Sequence, residues 1–184
     1  IKTFNQYTFE PIHVVMAKPL VSKQFGKKFI ETNDQALFDQ YTKDNKEIPY
    51  QTLKEFKGKE LVGIRYEQLF TWALPYETPE KAFVVIDGDF VTTEDGTGIV
   101  HTAPTFGADD ARVAKEHRVP AMLVMDKNEN LVPLVNLQGK FIDSINNEYA
   151  GKFVKNEYYN AGEAPEKSVD VELAIHLKEQ NRAF

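Results

Sequence analysis

Short runs of β-branched and aromatic residues, each ended within about six residues by a turn signal, constrain this chain more than any other feature. Ile12–Ala17, Leu61–Tyr66, Ala82–Ile86, Gly98–Thr102 and Ala121–Met125 are of this kind and are expected to be strands. Leu131–Val135 is a weaker candidate, because Pro133 confines it to an edge or a bulge. Asp87-Gly88-Asp89, Asp95-Gly96 and Asn128-Glu129-Asn130 supply turns between them. Helical patterns are fewer. Asn33–Tyr41 has Asn33 as a cap. Asp109–His117 opens on acids and closes on Lys115, His117 and Arg118, as a helix dipole favours. Val169–Gln180, capped by Ser168, puts Val171, Ala174, Ile175 and Lys178 on one face. There is no internal repeat and no low-complexity tract. Many short strands with few scattered helices predict an α+β, mostly β, barrel-like domain rather than a doubly wound sheet.

Composition narrows the function classes. A length of 184 residues fits one domain spanning 1–184, and a hydrophobic share of 42% supports a real core. The absence of cysteine excludes disulfides, thiolate zinc sites and a cysteine nucleophile, and it fits a reducing compartment. No apolar run approaches the roughly 18–20 residues of a membrane span, and no signal-peptide core opens the chain, so no membrane partner is expected. A net charge of −6 argues against a surface that grips nucleic acid throughout. The charge is uneven, however: residues 1–70 carry a net +2 and residues 71–184 a net −8. Lys18, Lys23, Lys27 and Lys28 form one basic group, and Lys54, Lys57 and Lys59 another; each is either a solvated face or a phosphate contact. The chain begins mid-pattern at Ile1-Lys2-Thr3 and stops just after a helix, which reads as a piece of something larger.

Several catalytic devices are missing. None of the three serines lies in a Gly-x-Ser-x-Gly elbow, and no P-loop signature is present. His13, His101, His117 and His176 never fall at i, i+4, so the spacing proposes no metal site. One stretch stands out, Thr93–Asp110, which runs turn, short strand, Pro-containing loop, helix start. Glycines at 96, 98 and 107 allow close backbone approach to a ligand. His101 on the strand and Asp110 in the first helical turn can aim into one pocket. A carboxylate and an imidazole together suit a small zwitterion or amine, the carboxylate bonding an ammonium and the imidazole supplying bulk and a hydrogen bond. Equally, Asp109 and Asp110 can simply stabilise a helix start, and a strand histidine can simply pack.

Gly96–Asp110, GTGIVHTAPTFGADD, resembles the signature of the editing insertion of isoleucyl-tRNA synthetases. The related valyl enzymes have Lys at the position of His101 and lack the Phe106-Gly107 pair, so the histidine favours the isoleucyl family. Phe56–Glu67 resembles the family's KG-x-x-L-x-G-x-x-Y segment, Gly151-Lys152-Phe153-Val154 the segment before the return to the catalytic core, and Ser168–Phe184 that return itself. The resemblance covers essentially the whole chain and is nearest to the bacterial branch with eukaryote-like sequences.

It implies a barrel-like editing domain of the valyl/leucyl/isoleucyl type that hydrolyses valine mischarged on tRNA(Ile), and valyl-adenylate. The family is itself the standard illustration of why editing exists: one missing methylene carries too little binding energy to reject valine. By this resemblance Asp110 would hold the substrate's α-ammonium and His101 would crowd the pocket so that valine fits and isoleucine does not. Gly98, Phe106 and Gly107 would shape its walls. A positioned water would attack the ester without a covalent intermediate. The implied partners are the 3′ end of tRNA(Ile) carrying valine and the remainder of a synthetase chain, in the cytoplasm. No metal and no cofactor are implied here, since ATP and Mg belong to the synthetase core, whose signature motifs are absent. The family's threonine-rich strand is absent too, for Thr92-Thr93 is followed by neither Pro nor Trp. The alternative is therefore a noncatalytic module that binds the tRNA end or serves a structural role. The weakly basic first 70 residues are where a tRNA contact is expected.

Overall fold

A computed structural model describes residues 1–184 as two compact units. Unit 1 comprises Ile1–Lys57, Val91–Val100 and Ala174–Phe184; unit 2 comprises Gly58–Phe90 and His101–Leu173. Six strands form three two-stranded sheets. In unit 1, β1 (Lys2–Phe4) pairs antiparallel with β2 (Pro11–His13), and β3 (Phe29–Glu31) pairs parallel with β4 (Ile48–Tyr50). A bridge between Lys2 and Gln51 ties the two sheets, each backbone N–H donating to the other's carbonyl at 2.9 Å. In unit 2, β5 (Leu123–Met125) and β6 (Leu131–Pro133) form a hairpin.

No sheet closes into a barrel. Every strand is three residues long, and one strand of each sheet carries a proline (Pro11, Pro49, Pro133), which cannot donate to a ladder. Leu61–Tyr66 and Ala82–Ile86, expected as strands, pair with each other through Gly63 N–H to Val85 O, Val85 N–H to Ile64 O and Tyr66 N–H to Phe83 O at 2.8–3.0 Å. Phe83 sits at φ 56, outside the extended region, so only one isolated bridge, Arg65 to Val84, is regular. Of Ile12–Ala17 only the start is strand, and Gly98–Thr102 forms none.

Three of the four α-helices follow their sequence signals more closely, and the first carried none. In unit 1, α1 covers Val21–Phe25 and α2 covers Gln35–Asp39. The cap of α2 is Asp34 rather than Asn33, its carboxylate accepting the Ala36 N–H at 2.9 Å. In unit 2, α3 covers Ala108–Glu116. Helix α4 (Val169–Glu179) begins in unit 2 and ends in unit 1. No helix is long and apolar enough to cross a membrane.

Each unit has its own core. Phe25, Phe29 and Ile48 are buried in unit 1, with Phe25 and Phe29 stacked at 4.4 Å and Tyr50 edge-on to Phe25 at 4.7 Å. The two buried polar side chains there are satisfied: Thr3 donates to Pro49 O at 2.9 Å and Asn5 to Ala183 O at 2.6 Å. Phe141, Ile145, Tyr149 and Val169 form the core of unit 2, with Trp72 against Phe141 and Tyr149. Fully burying a side chain like Val169 contributes about 1.5–3 kcal/mol. Burial pushes the Tyr149 phenol above its ordinary range.

Candidate functional site

The Ala103-Pro104-Thr105-Phe106 turn builds the candidate site in unit 2. Proline at its second position presets the backbone, and the N–H groups of Phe106 and Gly107 donate back to Ala103 O at 3.0 and 3.3 Å. Gly107 then caps α3, whose first intrahelical bond runs from Ala111 N–H to Gly107 O at 2.8 Å. Asp110, on the third helical residue, turns back and its Oδ2 accepts the Ala103 N–H at 3.0 Å. The carboxylate therefore closes a ring over residues 103–110, near the helix end where negative charge is favoured.

Space beside Asp110, and not the φ of −102°, favours glycine at 107. A Cβ at this position would lie 2.7 Å from Asp110 Oδ2 and 2.9 Å from its Cγ. Any side chain would push the carboxylate off the Ala103 N–H. Phe106 projects from the same turn with 68% of its surface exposed, an arrangement that leaves its ring free to meet a ligand. His101 lies two residues before Ala103 with its side chain exposed. It stands in irregular chain and not on a strand, which corrects the expectation for Gly98–Thr102. The reason is local: Thr97 Oγ1 donates to Ile99 O at 3.0 Å and accepts the Ile99 N–H at 3.4 Å, bending the chain just before it could join a ladder.

Gly98 belongs to unit 1, and there its need for glycine is structural. Its φ is +74°, and an added Cβ would lie 2.5 Å from the Ala17 Cβ. Residues 94–98 are strapped to α1 and to the chain that leads into it. Ala17 N–H donates to Thr97 O at 2.8 Å, Gln24 Nε2 donates to Gly96 O, and Lys23 Nζ lies 2.8 Å from Asp95 Oδ1. The Lys23 bond holds the Asp95 carboxyl below the usual carboxylate range. We expect Gly98→Ala to destabilise the chain by about 2–3 kcal/mol, from left-handed backbone strain plus the clash. Gly96→Ala, at φ +65° with open space around it, should cost about 1 kcal/mol. Paired thermal melts of the two variants measure the difference.

The basic groups are partly spent locally. Lys18 Nζ lies 2.7 Å from Glu55 Oε1 and Lys23 pairs with Asp95, so two of the four lysines in the first group meet carboxylates. Two concavities lie elsewhere. One of about 210 Å³ in unit 1 is lined by Ile30, Leu37, Tyr41 and Pro49 among others; one of about 460 Å³ in unit 2 lies between the β5–β6 turn and residues 136–144. Neither includes a residue of the 96–110 stretch.

Sequence reasoning named Asp110 and Gly107 but missed what holds them. The Ala103 backbone N–H carries no side-chain signal; only Pro104 in a turn position, followed six residues later by an acid, hints at it. No family model matches the chain. Its similarity is to the isoleucine–tRNA ligases of Cytophaga hutchinsonii (46% identical), Porphyromonas gingivalis (44%) and Bacteroides fragilis (42%), each alignment taking in all of this chain and 17% of the relative. Over its whole length, then, this chain matches isoleucine–tRNA ligases, as the counterpart of one segment that makes up 17% of their length.

Proposed function

We propose that the chain is an editing module of the isoleucyl-tRNA synthetase type, which hydrolyses valine esterified to tRNA(Ile), and valyl-adenylate, in the context of a synthetase chain. The observation that carries this reading is the ring at 103–110. Asp110 Oδ2 is occupied by the Ala103 N–H, which orients the carboxylate and leaves Oδ1 to accept from an α-ammonium group. Holding the ammonium places the neighbouring ester carbonyl in a defined position for water. Attack on that carbonyl breaks the acyl–oxygen bond to the terminal ribose and releases valine and tRNA. Orientation and electrostatics supply the rate. The exposed His101 imidazole sets the size limit, and the exposed Phe106 ring meets the substrate.

The similarity to isoleucine–tRNA ligases, which charge tRNA, supports tRNA as the partner. The alternative is a module that binds the tRNA end without turnover, distinguished by what the family's threonine-rich strand adds to it. Deacylation of Val-tRNA(Ile), measured for this chain alone and for the chain extended by that strand, separates the two. Release of valine above the uncatalysed rate in either form supports the hydrolase. Binding without release in both forms rejects it.

A further inference from the structure

The Asp87-Gly88-Asp89 turn takes no part in the ring at 103–110, yet it grips the helix that carries Asp110. Arg112 Nη2 lies 2.6 Å from Asp89 Oδ1 and 3.7 Å from Asp109 Oδ1, and Nη1 lies 3.2 Å from Glu116 Oε1. Five residues on, His117 Nε2 lies 3.2 Å from Asp87 Oδ1. The two attachments to the turn are about 1.4 helical turns apart, so together they set the rotation of α3 as well as its position. On α3 itself, Val113 and Ala114 are buried at 2% and 1% exposure and anchor a second face of the helix. Asp110 stands about 200° around the helix from Arg112, so the arginine acts on it through the backbone rather than by contact. The Arg112 hydrogen bond also holds the Asp89 carboxyl below its ordinary range.

We propose that the Asp87–Asp89 turn is a positioning clamp that, through Arg112 and His117, sets α3 so that the Asp110 carboxylate meets the Ala103 N–H. Its catalytic consequence rests on the editing reading; its structural consequence does not. An isolated exposed ion pair does little, but here two contacts from one turn hold one short helix at separated points. Asp89 and Arg112 are positioning residues.

The test uses the 184-residue chain. Asp89→Asn keeps the size but removes the charge, which weakens the charge-assisted bond from Arg112 to an ordinary neutral one. Amide hydrogen exchange at Ala103 should then speed up about fivefold, while the amides of Val113 and Ala114 keep their protection. Asp89→Glu should restore most of the Ala103 protection. With Val-tRNA(Ile), kcat should fall about tenfold in Asp89→Asn with KM held within about twofold, the pattern of misplacement rather than lost binding. Unchanged Ala103 exchange in Asp89→Asn overturns the clamp. Equal loss of protection at Ala103, Val113 and Ala114 overturns it too, showing loosening of the helix as a whole. Absence of deacylase activity both in the wild-type chain and in the chain extended by the threonine-rich strand overturns the editing reading alone, and the exchange result still decides the clamp.

Discussion

Asp110→Asn is expected to lower deacylation of Val-tRNA(Ile) about 10²-fold while shifting the melting temperature by no more than a few degrees. The asymmetry follows from the two jobs of the carboxylate. An asparagine oxygen can still accept the Ala103 N–H, so the ring at 103–110 stays closed. It carries no charge, so the bond to the substrate ammonium loses its charge-assisted strength. Asp110→Ala removes both functions. It should lose a comparable factor in activity and also destabilise the chain by about 1–2 kcal/mol, because the Ala103 N–H and the helix start both lose their partner. Measuring the two variants side by side, by tRNA deacylation and thermal melt, separates charge from scaffold. Normal deacylation in Asp110→Asn would remove Asp110 from the mechanism.

The second large effect concerns specificity. His101→Ala should leave Val-tRNA(Ile) hydrolysis within a fewfold and raise hydrolysis of correctly charged Ile-tRNA(Ile) by about 10- to 100-fold. One methylene accepted or rejected by a pocket corresponds to about 1–3 kcal/mol, and the bulk of an imidazole is what would exclude it. The exposed setting of His101 means that its removal opens no cavity in a core, so the folded chain should persist and the readout should be chemical. Competition between the two aminoacyl-tRNAs gives the ratio directly. An unchanged ratio would assign the size filter elsewhere.

Part of this fold is legible in the sequence. The Asp109–His117 pattern and helix α3 at Ala108–Glu116 agree to one residue at each end, as do Val169–Gln180 and α4. Acids at the start and bases at the end act within one turn of chain, so sequence alone reports them. The turn at Asn128-Glu129-Asn130 was equally visible, and Asp126 Oδ1 organises it by accepting the N–H groups of Asn128 and Asn130 at 2.8 Å. Strands β1, β3 and β4 were missed, since a three-residue strand is too short to show an alternating pattern. Gly98–Thr102 had the right residues for a strand and found no ladder, because pairing depends on a neighbour that composition does not name.

For the candidate site the division runs along the same line. The sequence by itself determined which chemical groups are available near 96–110, that an acid follows a Pro-bearing turn into a helix, and that cysteine and P-loop chemistry are absent. It also carried the resemblance that the 42–46% identity to isoleucine–tRNA ligases then matched over the whole chain. Only the tertiary structure decided that Asp110 is bonded to Ala103, that Gly107 is glycine to make room for that bond, that Gly98 is glycine because of Ala17, and that Asp87 and Asp89 hold α3 from 20 or more residues away. Local signals arise from neighbours along the chain. A backbone N–H, a missing Cβ and a distant ion pair act through space, where sequence separation leaves no trace.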